Sequence, residues 1–156
     1  MTRWLVRAAG LLLVVLSVAG LWVRATDHDP EIWHADPTTA ARTGQPNDFL
    51  AAPLNSTQAP IDLALSTAPE EPLAAFDRVA MAAPRTEIVA GSVGDGHITY
   101  VQRSALFGFP DYVSVKRVVG PEGATIAAWS RSRFGHSDLG VNEQRLAAWL
   151  AAGGFE

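Results

Sequence analysis

The chain predicts an α+β fold. An antiparallel meander of about four strands carries an N-terminal and a C-terminal helix packed on one face, preceded by a single N-terminal membrane anchor. Three observations lead there. Strand-like runs between Thr86 and Arg133 are joined by connections too short for a parallel crossover. A run with helical apolar spacing stands on either side of them. Residues 8–23 carry no charge at all. The implied division is a transmembrane anchor or signal sequence at 1–24, an extended Pro-rich acidic linker at 25–46, and an α+β globular domain at 47–156.

Ala8 to Val23 gives sixteen uncharged residues, roughly 24 Å as a helix, short of a hydrocarbon core of about 30 Å. Adding Trp4, Leu5 and Val6, with Arg7 reaching back to the headgroups, makes up the length. Trp4 and Trp22 then fall near the two interfaces, where indole is favoured. The competing reading is a signal peptide cleaved around Val23-Arg24-Ala25, against which the arginine in that site and the long apolar run both weigh. In either case Arg3 and Arg7 stay inside and the rest is exported. The expected location is the inner membrane with the globular domain on the periplasmic side, since eleven arginines among twelve bases suggest a GC-rich bacterial source.

Seven of the ten prolines lie between Pro30 and Pro72, and residues 26–72 carry eight acids against Arg42, so this stretch reads as extended spacer. Two parts are too apolar for pure spacer. Trp33-His34 is one, with His34 read as a solvated polar residue; Asp48 to Pro53 is the other, expected at the domain surface as an edge strand. From Pro72, a favoured first helical residue, Leu73, Phe76, Val79, Ala80 and Ala83 share one helical side until Pro84. Strands follow at 86–93, 97–104, 112–119 and 125–133, with Gly94-Asp95-Gly96 as the first hairpin turn. In the third strand Val113, Val115 and Val119 face one way, Ser114 and Lys116 the other. A last helix buries Leu146, Trp149 and Leu150, capped by Asn142 or, one turn earlier, by Asp138 with Leu139 in the core.

Charge sums to +3 over residues 1–25, −7 over 26–72 and zero over 73–156. A neutral globular part excludes a nucleic-acid footprint. With no cysteine, disulfides, thiolate nucleophiles and thiolate metal sites are excluded. No cofactor is expected, and no metal, because His97 and His136 would have to meet acids far away in sequence.

The densest segment is SRSRFGHSDLGVN, Ser130 to Asn142. Alternation puts Trp129, Arg131 and Arg133 on one strand face and Ser130 and Ser132 on the other. Two guanidiniums about 7 Å apart repel unless an anion lies near. Asp138 and Asp111 are the anions within reach of the turn, and Arg103 and Arg117 on neighbouring strands add positive charge. The ligand-binding candidates are therefore Arg103, Arg131, Arg133, Asp111 and Asp138, with Gly135, Ser137 and Asn142 as the structural joint. The cluster is either an anion site or an internal ion-pair network locking strand to helix. No catalytic residue is assigned: His136-Ser137-Asp138 cannot form a triad from one tight turn, and no GxSxG or HExxH pattern occurs.

With RSALFGFPD (Arg103 to Asp111) upstream, this segment resembles domain-of-unknown-function family 1499, in its bacterial membrane-anchored members. Arg103, Ser104, Phe107 to Asp111, Ser130 to Arg133, Gly135, Ser137 to Asn142 and Arg145 match its pattern. Ala83 to Thr86 and Trp33 to Pro37 look similar as well. Glu143 departs from the small or basic residue of that pattern, benignly for a first helical turn. The resemblance covers Asn47 to Leu150 and implies a fold unit with an exported, membrane-associated location, not an activity. The leading expectation is non-enzymatic binding of a partner protein or a small anionic or lipid ligand. The alternatives are a hydrolase- or isomerase-type enzyme using Asp111, Asp138 or His97, and a scaffold for envelope or membrane-complex assembly.

Overall fold

The computed structural model describes residues 2–39, 41–54, 56, 61–121 and 123–156. In chain order the elements are α1 (Thr2–Arg24), α2 (Pro30–Trp33), β1 (Asp48–Pro53), β2 (Leu63–Leu65), α3 (Pro72–Ala82), β3 (Thr86–Ser92), β4 (His97–Arg103), β5 (Pro110–Gly120), β6 (Gly123–Ser132) and α4 (Val141–Gly153). The fold class is α+β as expected, but the sheet has six strands and is mixed. Its order is β2-β1-β6-β5-β4-β3, with β1 and β2 parallel and every other pair antiparallel.

Two strands beyond the meander lie in the proline-rich stretch: β1, the strand expected over Asp48 to Pro53, and β2, which was not expected. β1 is not at an edge: it sits between β2 and β6, and Leu50, Ala51 and Ala52 have no exposed surface. A strand covered on both faces reads as a continuous apolar run rather than an alternation, which is what LAA supplies. Burial there overrides the spacer signal of the surrounding prolines.

The β3–β6 meander forms as its turns dictate. A bulge between Ile88 and Ala90 shifts the β3–β4 register, and at Gly91, φ +79°, a Cβ would stand 2.0 Å from the His97 carbonyl oxygen. Only glycine fits that approach.

Helices α3 and α4 cover one face. Phe76, Tyr100, Trp149 and Phe155 pack there with ring centroids 5.9–6.4 Å apart, over Ile98, Val113, Val115, Ile126 and Ala128. The Tyr100 hydroxyl donates to Asp77 at 2.8 Å, so the one polar atom of that ring is satisfied.

At the start of α4 the cap position falls on neither Asn142 nor Asp138, although Asp138 supplies the capping carboxylate. Gly140 occupies the cap position without a side-chain bond. Asp138 accepts from the N–H groups of Gly140 (3.0 Å) and Asn142 (2.6 Å), while Asn142 itself is buried. Leu139 is not in the core: it is 90% exposed.

The other face of the sheet is covered by the chain before β1. Residues 26–39 and 41–43, read from composition as linker, run back across β4, β5, β6 and β1 as a strap, with Ala35 packed on a smaller cluster of Leu50, Ala52, Ala127 and Trp129. Before the strap stands α1, whose residues Arg3–Arg24 are long and apolar enough to cross a membrane.

Candidate functional site

Strand β6 divides the densest segment as alternation predicts. On the helix side Ser130 Oγ donates to Asn142 Oδ1 at 2.5 Å, and Asn142 Nδ2 donates to Ser132 Oγ (2.9 Å) and to the Asn47 carbonyl (3.1 Å). Asn47 Nδ2 reaches the Gly135 carbonyl at 2.8 Å, and Ser137 Oγ accepts from the Leu139 N–H at 3.3 Å. Arg145 binds Asp111 at 2.6 Å, Gln102 at 2.6 Å and Asn142 at 2.7 Å. This is a closed network joining strand to helix. It takes Asp111 out of the arginine cluster, because Asp111 faces α4. Asp138, occupied as a helix cap, is taken out as well. Arg117 is exposed and shares the Val113–Val115 side by alternation, so it too lies off the cluster.

On the strap side Arg131 is 4% exposed. Its guanidinium lies 4.0 Å from the Trp129 ring centre and 5.8 Å from that of Trp33. Nη2 donates to the Trp33 carbonyl at 2.6 Å and Nη1 to Ser114 Oγ at 3.1 Å. Trp33 in turn stacks on Tyr112, 3.8 Å between centroids and 8° from parallel. Burial pushes the Arg131 pKa down to about 10, against the pull of Asp48 and Tyr112, so the charge persists at neutral pH. Asp48 is the register neighbour of Arg131, but its carboxylate is taken by Arg42 (2.7 Å), by the N–H and hydroxyl of Thr43 (2.6 and 2.7 Å) and by the Trp129 indole. Among the described residues Arg131 forms no ion pair.

The other two predicted arginines do join it. Arg133 Nη1 donates to the Asp27 carbonyl at 2.6 Å and to Tyr112 Oη at 3.3 Å. Arg103 donates to the Gly108 carbonyl at 3.2 Å and to His28 Nε2 at 2.7 Å. Arginine can only donate, so His28 Nε2 accepts and the neutral ring carries its hydrogen on Nδ1. Neutrality is favoured by burial first and then by the charges of Arg103 and Arg133, which lower the His28 pKa. That Nδ1–H points at Tyr112 Oη, 2.7 Å away. Tyr112 oxygen therefore accepts twice, from His28 and from Arg133. Burial raises the Tyr112 pKa despite the three arginines, so its own hydrogen is retained, and it has no acceptor among the described residues.

Further along the strap, His34 is not simply solvated. Its ring stacks on His97 at 3.8 Å and its Nδ1 lies 2.9 Å from Thr99 Oγ1. The partners are 63 and 65 positions away, beyond any reading of local spacing. His97 Nε2 meets the Ala35 carbonyl at 3.3 Å, and Lys116 pairs with Asp36. The three residues named for an enzyme are thus held apart, with His97 under the strap, Asp111 under α4 and Asp138 in the turn between. Sequence reasoning missed Tyr112, His28 and Asp48. The apolar Trp33-His34 pair within an acidic run marks this stretch as more than spacer, without showing what it covers.

A cleft of about 550 Å³ lies elsewhere, lined by Pro53, Leu65, Thr67, Val118, Pro121 and Thr125 among others. It belongs to the opposite end of β5 and β6, and among the described residues no ionisable side chain lines it. Among the described residues no cluster of three or more His, Cys, Asp or Glu could hold a metal ion.

Comparison with curated proteins and with solved structures gives no match. The family model described as "Protein of unknown function (DUF1499)" matches residues 38–152, a span that holds every strand, α3, Arg131 and the serines of β6, Arg133 just beyond it, and Asp138. The chain belongs to that family.

Proposed function

We propose that the protein is a membrane-tethered binding domain, exported to the periplasmic side of the inner membrane. It holds a small anionic group, a phosphate or carboxylate, on Arg133, Arg103 and Tyr112. One observation carries this reading. Three guanidiniums converge on one sheet face with no ion pair among the described residues, next to a phenol whose hydrogen has no acceptor. Guanidinium forks and a hydroxyl are the donors that carboxylate and phosphate oxygens take. Arg131, sealed between Trp33 and Trp129, sets the field and positions the aromatic wall rather than touching the ligand.

A second reading has its own support, since all three arginines donate to main-chain carbonyls of the segment 23–33. They would then serve to clamp the strap. Full-length protein in detergent, titrated calorimetrically with inorganic phosphate, with acetate, and with phosphatidylglycerol against phosphatidylcholine vesicles, separates the two and identifies the source of the anion. Binding that is lost in Arg133→Ala at unchanged melting temperature supports the anion site. If no anion binds, or if Arg133→Ala lowers the melting temperature and leaves binding intact, the clamp is the correct reading.

A further inference from the structure

The end of the molecule next to α1 is apolar in a way the fold does not use. Leu106 (75% exposed), Phe107 and Phe109 occupy the β4–β5 turn, Leu139 (90% exposed) the turn before α4, and Val141 the first position of α4. Both turns belong to the same end of the sheet, because Arg103 pairs with Pro110 and Asp111 with Ser132.

That end is fastened to the C-terminus of α1 without an intervening spacer. Arg24 Nη2 donates to the Leu106 carbonyl at 3.2 Å, and Arg103 reaches the Val23 carbonyl at 3.5 Å. At Gly108, φ +75°, a Cβ would lie 2.7 Å from Arg24 Cγ, so the turn and the helix end touch directly. An aromatic chain continues from the helix outward. Trp22 lies 5.9 Å from Phe134, Phe134 lies 6.2 Å from Phe109, and Phe109 lies 5.8 Å from Phe107.

From these positions we infer that the two turns form a lipid-contacting tip, resting in the headgroup region of the bilayer that α1 crosses. The inference rests on the membrane-tethered reading above. A helix over Arg3–Arg24 is about 33 Å long, matched to a core of about 30 Å, so Trp22 and Arg24 emerge at the interface. Groups touching them cannot lie far from it. Trp and Phe rings favour that depth, and aliphatic side chains gain burial there. Leu139 adds a separate argument. It is held at φ +58°, a left-handed conformation that leucine avoids, and in the protein alone its side chain packs against almost nothing. A bilayer would supply the missing contact.

The chain has no cysteine, so single-cysteine variants report one position each. Leu13→Cys, Leu106→Cys, Leu139→Cys and Asp95→Cys would be labelled with an environment-sensitive fluorophore. The full chain is then reconstituted in phosphatidylethanolamine–phosphatidylglycerol vesicles carrying nitroxide lipids labelled near the headgroup or at the tail end. The expected result is strong quenching of Leu13 by tail-end nitroxide, and several-fold stronger quenching of Leu106 and Leu139 than of Asp95 by headgroup-region nitroxide. If Leu13 is quenched but Leu106 and Leu139 match Asp95, the tip is overturned and the anchor stands. If Leu106 and Leu139 are blue-shifted but unquenched, protein covers them and the lipid tip is wrong. An unquenched Leu13 overturns the anchor and the tip together.

Discussion

Arg131 donates through Nη2 to the Trp33 carbonyl at 2.6 Å, a bond across 98 positions between the last strand and the segment that precedes the sheet. It is the centre of a layered stack, Trp129 below the guanidinium and Trp33 partly above it, with Tyr112 closing the side. The proline-rich segment is therefore part of the fold, covering a sheet face that would otherwise expose three arginines and an apolar strip of Leu50, Ala52 and Ala127. Whatever binds the arginine face meets the strap first.

The two buried arginines should respond oppositely to the same change. Arg145 pairs with Asp111, both side chains at most 10% exposed, so Arg145→Met strands a buried carboxylate and should cost about 3–5 kcal/mol. Among the described residues Arg131 has no paired carboxylate to strand. Arg131→Met keeps most of the packing volume and removes a desolvation cost, while losing a cation–π contact of about 1–2 kcal/mol. Its net destabilisation should stay below about 2 kcal/mol. Chemical denaturation of the two variants checks the order, and a larger loss for Arg131→Met would show that its charge is compensated after all.

Asn142 accepts from Ser130 and Arg145 and donates to Ser132 and the Asn47 carbonyl, all in a site 1% exposed. Asn142→Ala leaves several buried groups unpaired at about 1–3 kcal/mol for each one that water cannot reach. The expected total is near the upper end of that range, with α4 loosened first. Hydrogen exchange should show early opening of residues 141–150; uniform exchange across the sheet would assign Asn142 no special role in the joint.

How much of this was legible follows from range. The β3–β6 meander and both packed helices were written in local periodicity, because alternation and helical spacing are properties of neighbouring residues. The split of β6 into arginine and serine faces was legible for the same reason. The strap was not: Trp33 on Tyr112 and His34 on His97 are contacts between distant residues, in a stretch whose prolines and acids describe an unpaired chain. Asp48 to Pro53 was legible as a strand, but its interior place was not, since a strand covered on both faces lacks the alternation that marks a half-buried one. The partners of Asp111 and Asp138 were misassigned because a turn brings several acids near two arginines, and only the direction of each side chain decides which of them pair.

Acid should loosen the strap. His28, His34 and His97 all have lowered pKa values, burial being the largest cause in each; Arg103 and Arg133 add to it at His28, and His34 adds to it at His97. The unfolded imidazoles take up protons at about pH 6.5, before the folded ones. Stability is therefore intact above that value and is lost as pH falls through and below it. Asp36 acts lower down. Burial would raise it, but hydrogen bonds from Lys116 and Thr38 outweigh burial and lower its pKa, so its contribution persists to more acidic pH and is lost only as the pH falls through the carboxylate range. Limited proteolysis of residues 26–43 between pH 7.5 and 5 (a span set by the ordinary histidine pKa of about 6.5) should show cleavage rising on the acid side. His97→Gln should flatten the dependence; a profile unchanged by it would place the titration elsewhere.

Leu139 offers a test in which stability and function part. Its φ of +58° costs leucine roughly 1–2 kcal/mol relative to a right-handed conformation, and its exposure means that little packing offsets the cost. Glycine adopts that φ freely, at an entropic cost of roughly 0.5–1 kcal/mol in the unfolded chain. Leu139→Gly should accordingly leave the isolated protein as stable or up to about 1 kcal/mol more stable, although it deletes a large apolar side chain. Arg85 has the same φ of 58°, but its Nε donates to the Arg103 carbonyl at 3.0 Å, so Arg85→Gly forfeits a bond and should gain nothing. Melting curves of both variants in detergent give the comparison. In vesicles, Leu139→Gly should also weaken the lipid contact of a Leu106 label, because the second half of the tip is gone. Retained strain at an exposed leucine would then have its reason in the bilayer rather than in the fold.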